Sequence, residues 1–226
     1  YHVCTQFSVI NLTCEITMET IAIISQKGGS GKTTIALHLA VASSNSGLNT
    51  ALIDLDPQAS ATKWADRREK ELPVVLSAHA SRLHNEIRRV KETGGQRLFL
   101  DTAPHSDSAA LEAAKVADLV LIPCRPAIFD MEAISNTLAL VQTTGTPIFV
   151  VMNAVAPQGQ EAEEAMEAIG ELNVEVCPIQ LVNRIAFARS LITGLTAQEF
   201  ECYGKAAKET ANLHTFMCAQ LNKMNQ

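Results

Sequence analysis

The sequence predicts an α/β fold, a mostly parallel, twisted sheet with helices on both faces. Three observations predict it. From Thr20 onward, strand-sized apolar runs alternate with helical stretches, the β-then-α order of a parallel sheet with crossover helices. The first run, residues 20–25, is almost wholly apolar, as in a buried strand. Several runs then end in short segments rich in Gly or Asp, where such sheets place their ligands. A chain of 226 residues suits one large domain and is long enough to bury a substantial core.

The elements follow in order. Residues 20–25 form the first strand, 26–34 a glycine-rich segment, and 35–42 a helix. Residues 50–54 are an apolar strand ending in Asp54-Leu55-Asp56-Pro57-Gln58, and 59–69 a helix with Trp64 on its apolar side. A short strand at 74–76 precedes a charged helix at 81–92, closed by Gly94-Gly95. The strand at 97–100 leads into Asp101-Thr102-Ala103-Pro104-His105. Next come a helix at 108–117, a strand at 118–123, a helix at 130–143 and a strand at 148–152 ending at Asn153. A helix at 160–172 and a last strand at 174–179 precede a tail with helices at 186–192 and 203–221. No linker, repeat or low-complexity tract interrupts this pattern, so a single domain is expected over 18–226. Residues 1–17 carry no helix signature and read as an appendage without a catalytic role, with Met18 as the natural start. An extra edge strand over 7–12 is the alternative.

The segment Gln26-Lys27-Gly28-Gly29-Ser30-Gly31-Lys32-Thr33-Thr34 lies between a strand and a helix, an arrangement that wraps backbone N–H groups around a phosphate. In the usual P-loop a Gly sits five residues before the Gly-Lys pair. Here Gln26 holds that place, and a second lysine, Lys27, follows it. Lys32 would reach the β- and γ-phosphates, and the Thr33 hydroxyl would bind Mg²⁺. Asp101, ending the apolar run R-L-F-L-D, stands where a metal-holding carboxylate belongs; the alternative is a turn aspartate that caps a helix. Asp54 and Asp56 fall at a second loop near the γ-phosphate, where a carboxylate can orient the attacking water. Lys27 cannot easily turn back to phosphates that Lys32 already serves. It either neutralises a second nucleotide across a two-fold interface or stands solvated beside the turn.

The formal charge of −6 and pI near 5.5 give no overall attraction to nucleic acid or anionic membrane. Any DNA contact must therefore come from a local basic patch. The six cysteines form no C-x-x-C pair and read as buried thiols of a reducing compartment. No apolar run reaches transmembrane length and no secretory signal pattern opens the chain, so a cytoplasmic protein is expected.

K-G-G-S-G-K-T-T, D-L-D-P-Q and D-T-A-P-H, in this order and spacing, resemble the deviant Walker box family of ParA and MinD. The C-terminal stretches Arg184 to Arg189, Gly194 to Glu199 and Gly204 to Ala207 resemble those of small ParA proteins without an N-terminal helix-turn-helix domain. The resemblance implies a P-loop NTPase fold, ATP and Mg²⁺ as ligands, and an ATP-dependent homodimer with Lys27 acting across it. It implies Asp56 for hydrolysis, Thr33 and Asp101 for the metal, and Asn153 and Pro178 near the adenine. It further implies nucleoid association, nonspecific DNA binding and a ParB-like centromere-binding partner that stimulates hydrolysis, in the service of plasmid or chromosome partition. Arg184, Arg189, Lys205 and Lys208 are the DNA-contact candidates; otherwise they are solvated charges with Glu199, Glu201 and Glu209 as partners. A ParA-like ATPase with a protein cargo is the alternative function. A MinD-like membrane role is weaker, because Leu213, Phe216, Met217, Leu221 and Met224 recur at helical spacing with Lys223 as the one strong base near them.

Overall fold

The computed structural model describes residues 17–224, apart from the side chains of residues 128 and 129. The expected appendage lies outside that span except for Thr17. The strands are β1 (Glu19–Ile23), β2 (Thr50–Asp54), β3 (Val74–Ser77), β4 (Arg97–Asp101), β5 (Leu119–Cys124), β6 (Ile148–Val155), β7 (Glu175–Val176) and β8 (Leu181–Val182). They lie in the order β3-β2-β4-β1-β5-β6-β7, with β8 also on β6, and every pair among the described residues is parallel. The helices are α1 (Lys32–Asn45), α2 (Ser60–Ala65), α3 (Leu83–Glu92), α4 (Asp107–Val116), α5 (Ile128–Val141), α6 (Glu161–Gly170), α7 (Ile185–Ile192), α8 (Ala197–Phe200) and α9 (Lys205–Met224).

The apolar runs make central strands because both of their faces are covered. Along β1, Ile21 and Ile23 join one core while Ala22 and Ile24 join the other. The first core is closed by α1, by Ala61 and Trp64 of α2, and by Leu213, Met217 and Leu221 of α9. The second is closed by α3, α4, α5 and α6 through Leu83, Ala113, Leu138 and Ile169. Burial of each such Ile or Leu contributes about 2 kcal/mol. The C-terminal apolar stripe thus packs on the domain, with only Met224 substantially exposed.

The expected last strand, 174–179, divides into β7 and β8. Pro178 has no N–H for a ladder, and the Ile179 N–H turns to the Cys177 sulfur at 3.4 Å. The helix expected over 59–69 stops at Ala65, and the Arg67 and Arg68 amides make tighter i→i−3 bonds to the Trp64 and Ala65 carbonyls. β6 extends past Asn153, with a register shift between Asn153 and Val155 and Ala154 at φ 52. Such a bulge re-aims a side chain. Central β1 is flanked by β4 and β5, so the carboxyl ends of these neighbours surround the glycine-rich loop.

Candidate functional site

The loop from Ser25 to Gly31 joins β1 to α1, and Gly29 (φ 76) and Gly31 (φ 99) take the left-handed conformation that side chains disfavour. No side chain caps α1, and its first turn holds no acid. Its leading N–H groups and the positive end of its dipole are therefore available to an anion. Lys32 is the first residue of α1. Its ammonium donates to the Lys27 carbonyl at 3.2 Å and is almost fully buried. Burial lowers its pKa, opposed by the charges of Asp101 and Asp56.

Asp101, fully buried at the end of β4, is the acidic counterpart. Burial pushes its carboxyl up to about 7, and the Thr33 hydroxyl lies close enough to draw it back toward the charged form. Among the described residues no group, the nearby Thr33 hydroxyl included, is aligned for a hydrogen bond to either carboxylate oxygen. A buried, orphaned carboxylate beside a threonine hydroxyl at a phosphate loop fits a Mg²⁺ ion, whose oxygen-ligand demand would satisfy both.

The two aspartates of the D-L-D-P-Q segment separate in space. Fully buried Asp54 accepts the Asp56 N–H at 3.1 Å and the Ala61 and Thr62 N–H groups at 2.9 and 3.2 Å. It satisfies the first amides of α2 and so fixes the loop. Burial pushes its pKa up, and these backbone bonds oppose the shift. Asp56 accepts the Gln58 N–H at 2.9 Å, with no other hydrogen bond to its carboxylate among the described residues, and lines the cavity.

That cavity measures about 420 Å³. Lys32, Thr33, Thr34, Asp56, Asn153 and Arg184 are among the residues that line it. The Asn153 amide nitrogen donates to the Ser30 carbonyl at 2.7 Å, so this side chain bears on the loop itself. Pro178 is exposed and does not line the cavity. Lys27 is half-buried at the loop's start, and no partner for its ammonium is found among the described residues.

The four basic candidates also part company. Arg184 lines the cavity and pairs with Glu209 at 2.6 Å. Arg189, on α7, and Lys205 and Lys208, at the start of α9, are exposed and carry no ion pair among the described residues. Glu199 is no partner for them. It takes a bidentate bond from Arg68, both arms 2.9 Å, and another from Lys70 at 2.8 Å.

Glu199 belongs to a set of contacts that clasps the α7–α8 segment between α1 and α2. Trp64 Nε1 donates to the Leu195 carbonyl at 3.0 Å, and Arg68 also reaches the Gly194 carbonyl at 3.0 Å. From α1, His38 Nδ1 donates to the Thr34 carbonyl at 2.7 Å while Nε2 accepts the Ala197 N–H at 3.0 Å. Sequence reasoning missed this clasp and α8, although Thr196-Ala-Gln-Glu199 spells a capping box that the structure forms. It also missed Arg125, an exposed cavity-lining residue directly after β5. A charged side chain at the carboxyl end of a central strand was the available signal.

Fold and site together define a P-loop nucleotide-binding protein whose loop carries a second lysine. The chain belongs to the CobQ/CobB/MinD/ParA nucleotide binding domain family, whose model matches residues 21–197. It is 34% identical to maintenance of carboxysome distribution protein A of Gloeobacter kilaueensis, over 84% of this chain and 87% of that protein. It is 26% identical to protein ParA of Rhizobium radiobacter, over 92% of this chain and 99% of that protein. Among solved structures, the fold resembles the septum site-determining protein MinD of Pyrococcus horikoshii complexed with Mg-ADP. That match has a TM-score of 0.72 at 16% identity and covers 88% of this chain and 95% of that one.

Proposed function

We propose that the chain is a Mg²⁺-dependent ATPase that dimerises around ATP and uses the cycle to position a large cargo over DNA. The observation that carries this reading is the buried Asp101 carboxylate beside Thr33, without a hydrogen bond among the described residues and under the same loop that presents Lys32. Thr33 and Asp101 would hold Mg²⁺, directly or through water; when bound, the ion neutralises charge on the β- and γ-phosphates. Lys32 and the α1 N-terminus bind those phosphates, with Gly28, Gly29, Ser30 and Gly31 forming the cradle and Thr34 closing it. Asp56, free of the capping duty that holds Asp54, orients the attacking water. Lys27, whose ammonium is without a partner among the described residues, serves a nucleotide held by a second copy.

The cargo separates two readings. The relative named for carboxysome distribution, at 34% identity, favours a large protein assembly as cargo. The ParA relative, covered over 99% of its length, supports DNA partition with a ParB-like partner instead. In both readings Arg189, Lys205 and Lys208 make nonspecific phosphate contacts; Arg184 is the weaker candidate, because Glu209 already holds it. No helix among the described residues is long and apolar enough to cross a membrane, and the C-terminal stripe is packed inward. Neither fact supports a MinD-like membrane role.

Sedimentation of the chain with ATP, ADP or no nucleotide, with and without DNA at low and high salt, tests the cycle. Dimerisation and salt-sensitive DNA binding are expected with ATP alone, and Lys27→Ala should abolish the ATP effect. A chain that ignores both ATP and DNA overturns the proposal. Plasmid retention in a deletion strain separates the cargoes, since a protein-cargo ATPase leaves it unchanged.

A further inference from the structure

We propose that Arg125 is a nucleotide-binding residue that grips the α- and β-phosphates from the side of the loop opposite the metal site. This rests on the ATPase reading above and adds a residue and a contact to it.

Position comes first. β5 pairs with β1 through Ile21 and Leu119, Ala22 and Val120, and Ile23 and Leu121, and on its other side with β6. Its carboxyl end therefore lies between the strand that delivers the phosphate loop and the strand that delivers Asn153. Arg125 is the first residue past that end, and its side chain lines the cavity shared with Lys32, Thr33 and Asn153.

Its backbone is pinned while its side chain is exposed. The Cys124 thiol and the Ala127 N–H both donate to the Arg125 carbonyl, at 3.2 and 2.8 Å. Pro126 follows, with a φ fixed by its ring. Order in the anchor lowers the entropy lost when the side chain engages a ligand.

Charge points the same way. Two arginines line this cavity. Arg184 is neutralised by Glu209 at 2.6 Å, whereas no carboxylate or carbonyl partner for the Arg125 guanidinium is found among the described residues. Among the described residues that line the cavity, Asp56 is the one acid. A planar guanidinium with paired N–H donors matches phosphate oxygens in a bidentate way that a point charge cannot.

Sheet order then selects the phosphates. Asp101 of β4 and Asp56 beyond β2 stand on one side of β1, and Arg125 stands on the other with Asn153. The metal and the hydrolytic carboxylate mark the γ-phosphate side. The opposite side is where the α- and β-phosphates lead toward the sugar and base. Arg125 thus contacts groups that ATP and ADP share, and it contributes binding that is uniform between ground and transition states.

The test is calorimetric binding of Mg-ATP and Mg-ADP to the full chain, together with kcat at saturating ATP, for wild type, Arg125→Ala and Arg125→Lys. Loss of an exposed charge-assisted contact should weaken ATP and ADP alike by about tenfold, leaving kcat within about twofold of wild type. Arg125→Lys should recover only part of the affinity, since it keeps the charge and loses the fork. Arg125→Ala should unfold at the wild-type temperature, because the side chain is exposed, so reduced binding cannot be ascribed to misfolding. Unchanged affinity for both nucleotides in Arg125→Ala, with normal wild-type binding, overturns the assignment of Arg125 alone. A loss confined to ATP moves the contact to the γ-phosphate and also overturns it. A wild-type chain that binds neither nucleotide overturns the ATPase reading and this assignment together.

Discussion

Asn153 and Gly31 compete for one space. The Asn153 amide donates to the Ser30 carbonyl at 2.7 Å, and its nitrogen stands where a Cβ on Gly31 would project. Gly31 is also left-handed, at φ 99. The bulged end of β6 thus closes on the phosphate loop, and the adenine contact that family resemblance implies for Asn153 competes with this bond. Gly31→Ala should therefore cost at least tenfold in nucleotide affinity, because clash and strain fall on one residue. Asn153→Ala should cost less, about fivefold, the equivalent of one hydrogen bond. Calorimetric titration of both variants with Mg-ADP measures the difference; equal losses would contradict this geometry.

The Arg68–Glu199 pair, with side chains only 3% and 6% exposed, joins the turn after α2 to the α7–α8 segment. Burial alone would raise the Glu199 pKa, but bonds from Arg68, Lys70 and the Thr196 N–H hold it down at about 2. Glu199→Gln leaves Arg68 charged in a buried place, so a loss of about 3 kcal/mol is expected in urea unfolding. The double variant Arg68→Leu with Glu199→Leu should recover part of that loss, because neither charge is stranded. A loss below 1 kcal/mol for Glu199→Gln would show that the clasp does not depend on this pair.

His38 contributes an acid limb to the stability curve, opposed by the raised carboxyls of Asp101 and Asp54. Burial holds its ring neutral, lowering the pKa from 6.5 to about 4. Between those values the unfolded chain binds a proton that the folded chain does not, so stability rises with pH across the window. The contribution is complete above pH 6.5 and disappears as pH falls toward 4, a change of about 3 kcal/mol. His214, also lowered to about 4 by burial and then by Arg97, acts in the same direction. His38→Gln should make the stability slope between these pH values shallower, as read from denaturation midpoints. An unchanged slope would contradict the buried neutral ring.

What the sequence disclosed follows from the range of each interaction. The strands around Ile21 to Ile24 and Leu119 to Ile122 were legible because two-sided burial writes continuous apolar runs. The strand–loop–helix arrangement of the glycine-rich segment and the place of Asp101 at the end of β4 were legible because each is written in contiguous residues. Glu199 was not legible as the partner of Arg68, since 131 residues separate them. Asp54 and Asp56 look alike in sequence; only the turn at 54–62 decides which one caps α2 and which faces the cavity. For Arg184 the sequence offered both DNA contact and a carboxylate partner among Glu199, Glu201 and Glu209; that the partner is Glu209 depends on how the start of α7 meets α9. The division of β7 from β8 was in principle readable from Pro178, which a ladder cannot accommodate.

Asp56, Thr33 and Asp101 are proposed to form one Mg-ATP hydrolysing site. Phosphate release from ATP by the full chain, in Mg²⁺ and in EDTA, tests it most directly when wild type is compared with Asp56→Ala. Wild type should release phosphate only with Mg²⁺, and Asp56→Ala should bind ATP normally yet turn over at least about a hundredfold more slowly. Full turnover by Asp56→Ala, or by wild type in EDTA, would overturn this assignment of the site.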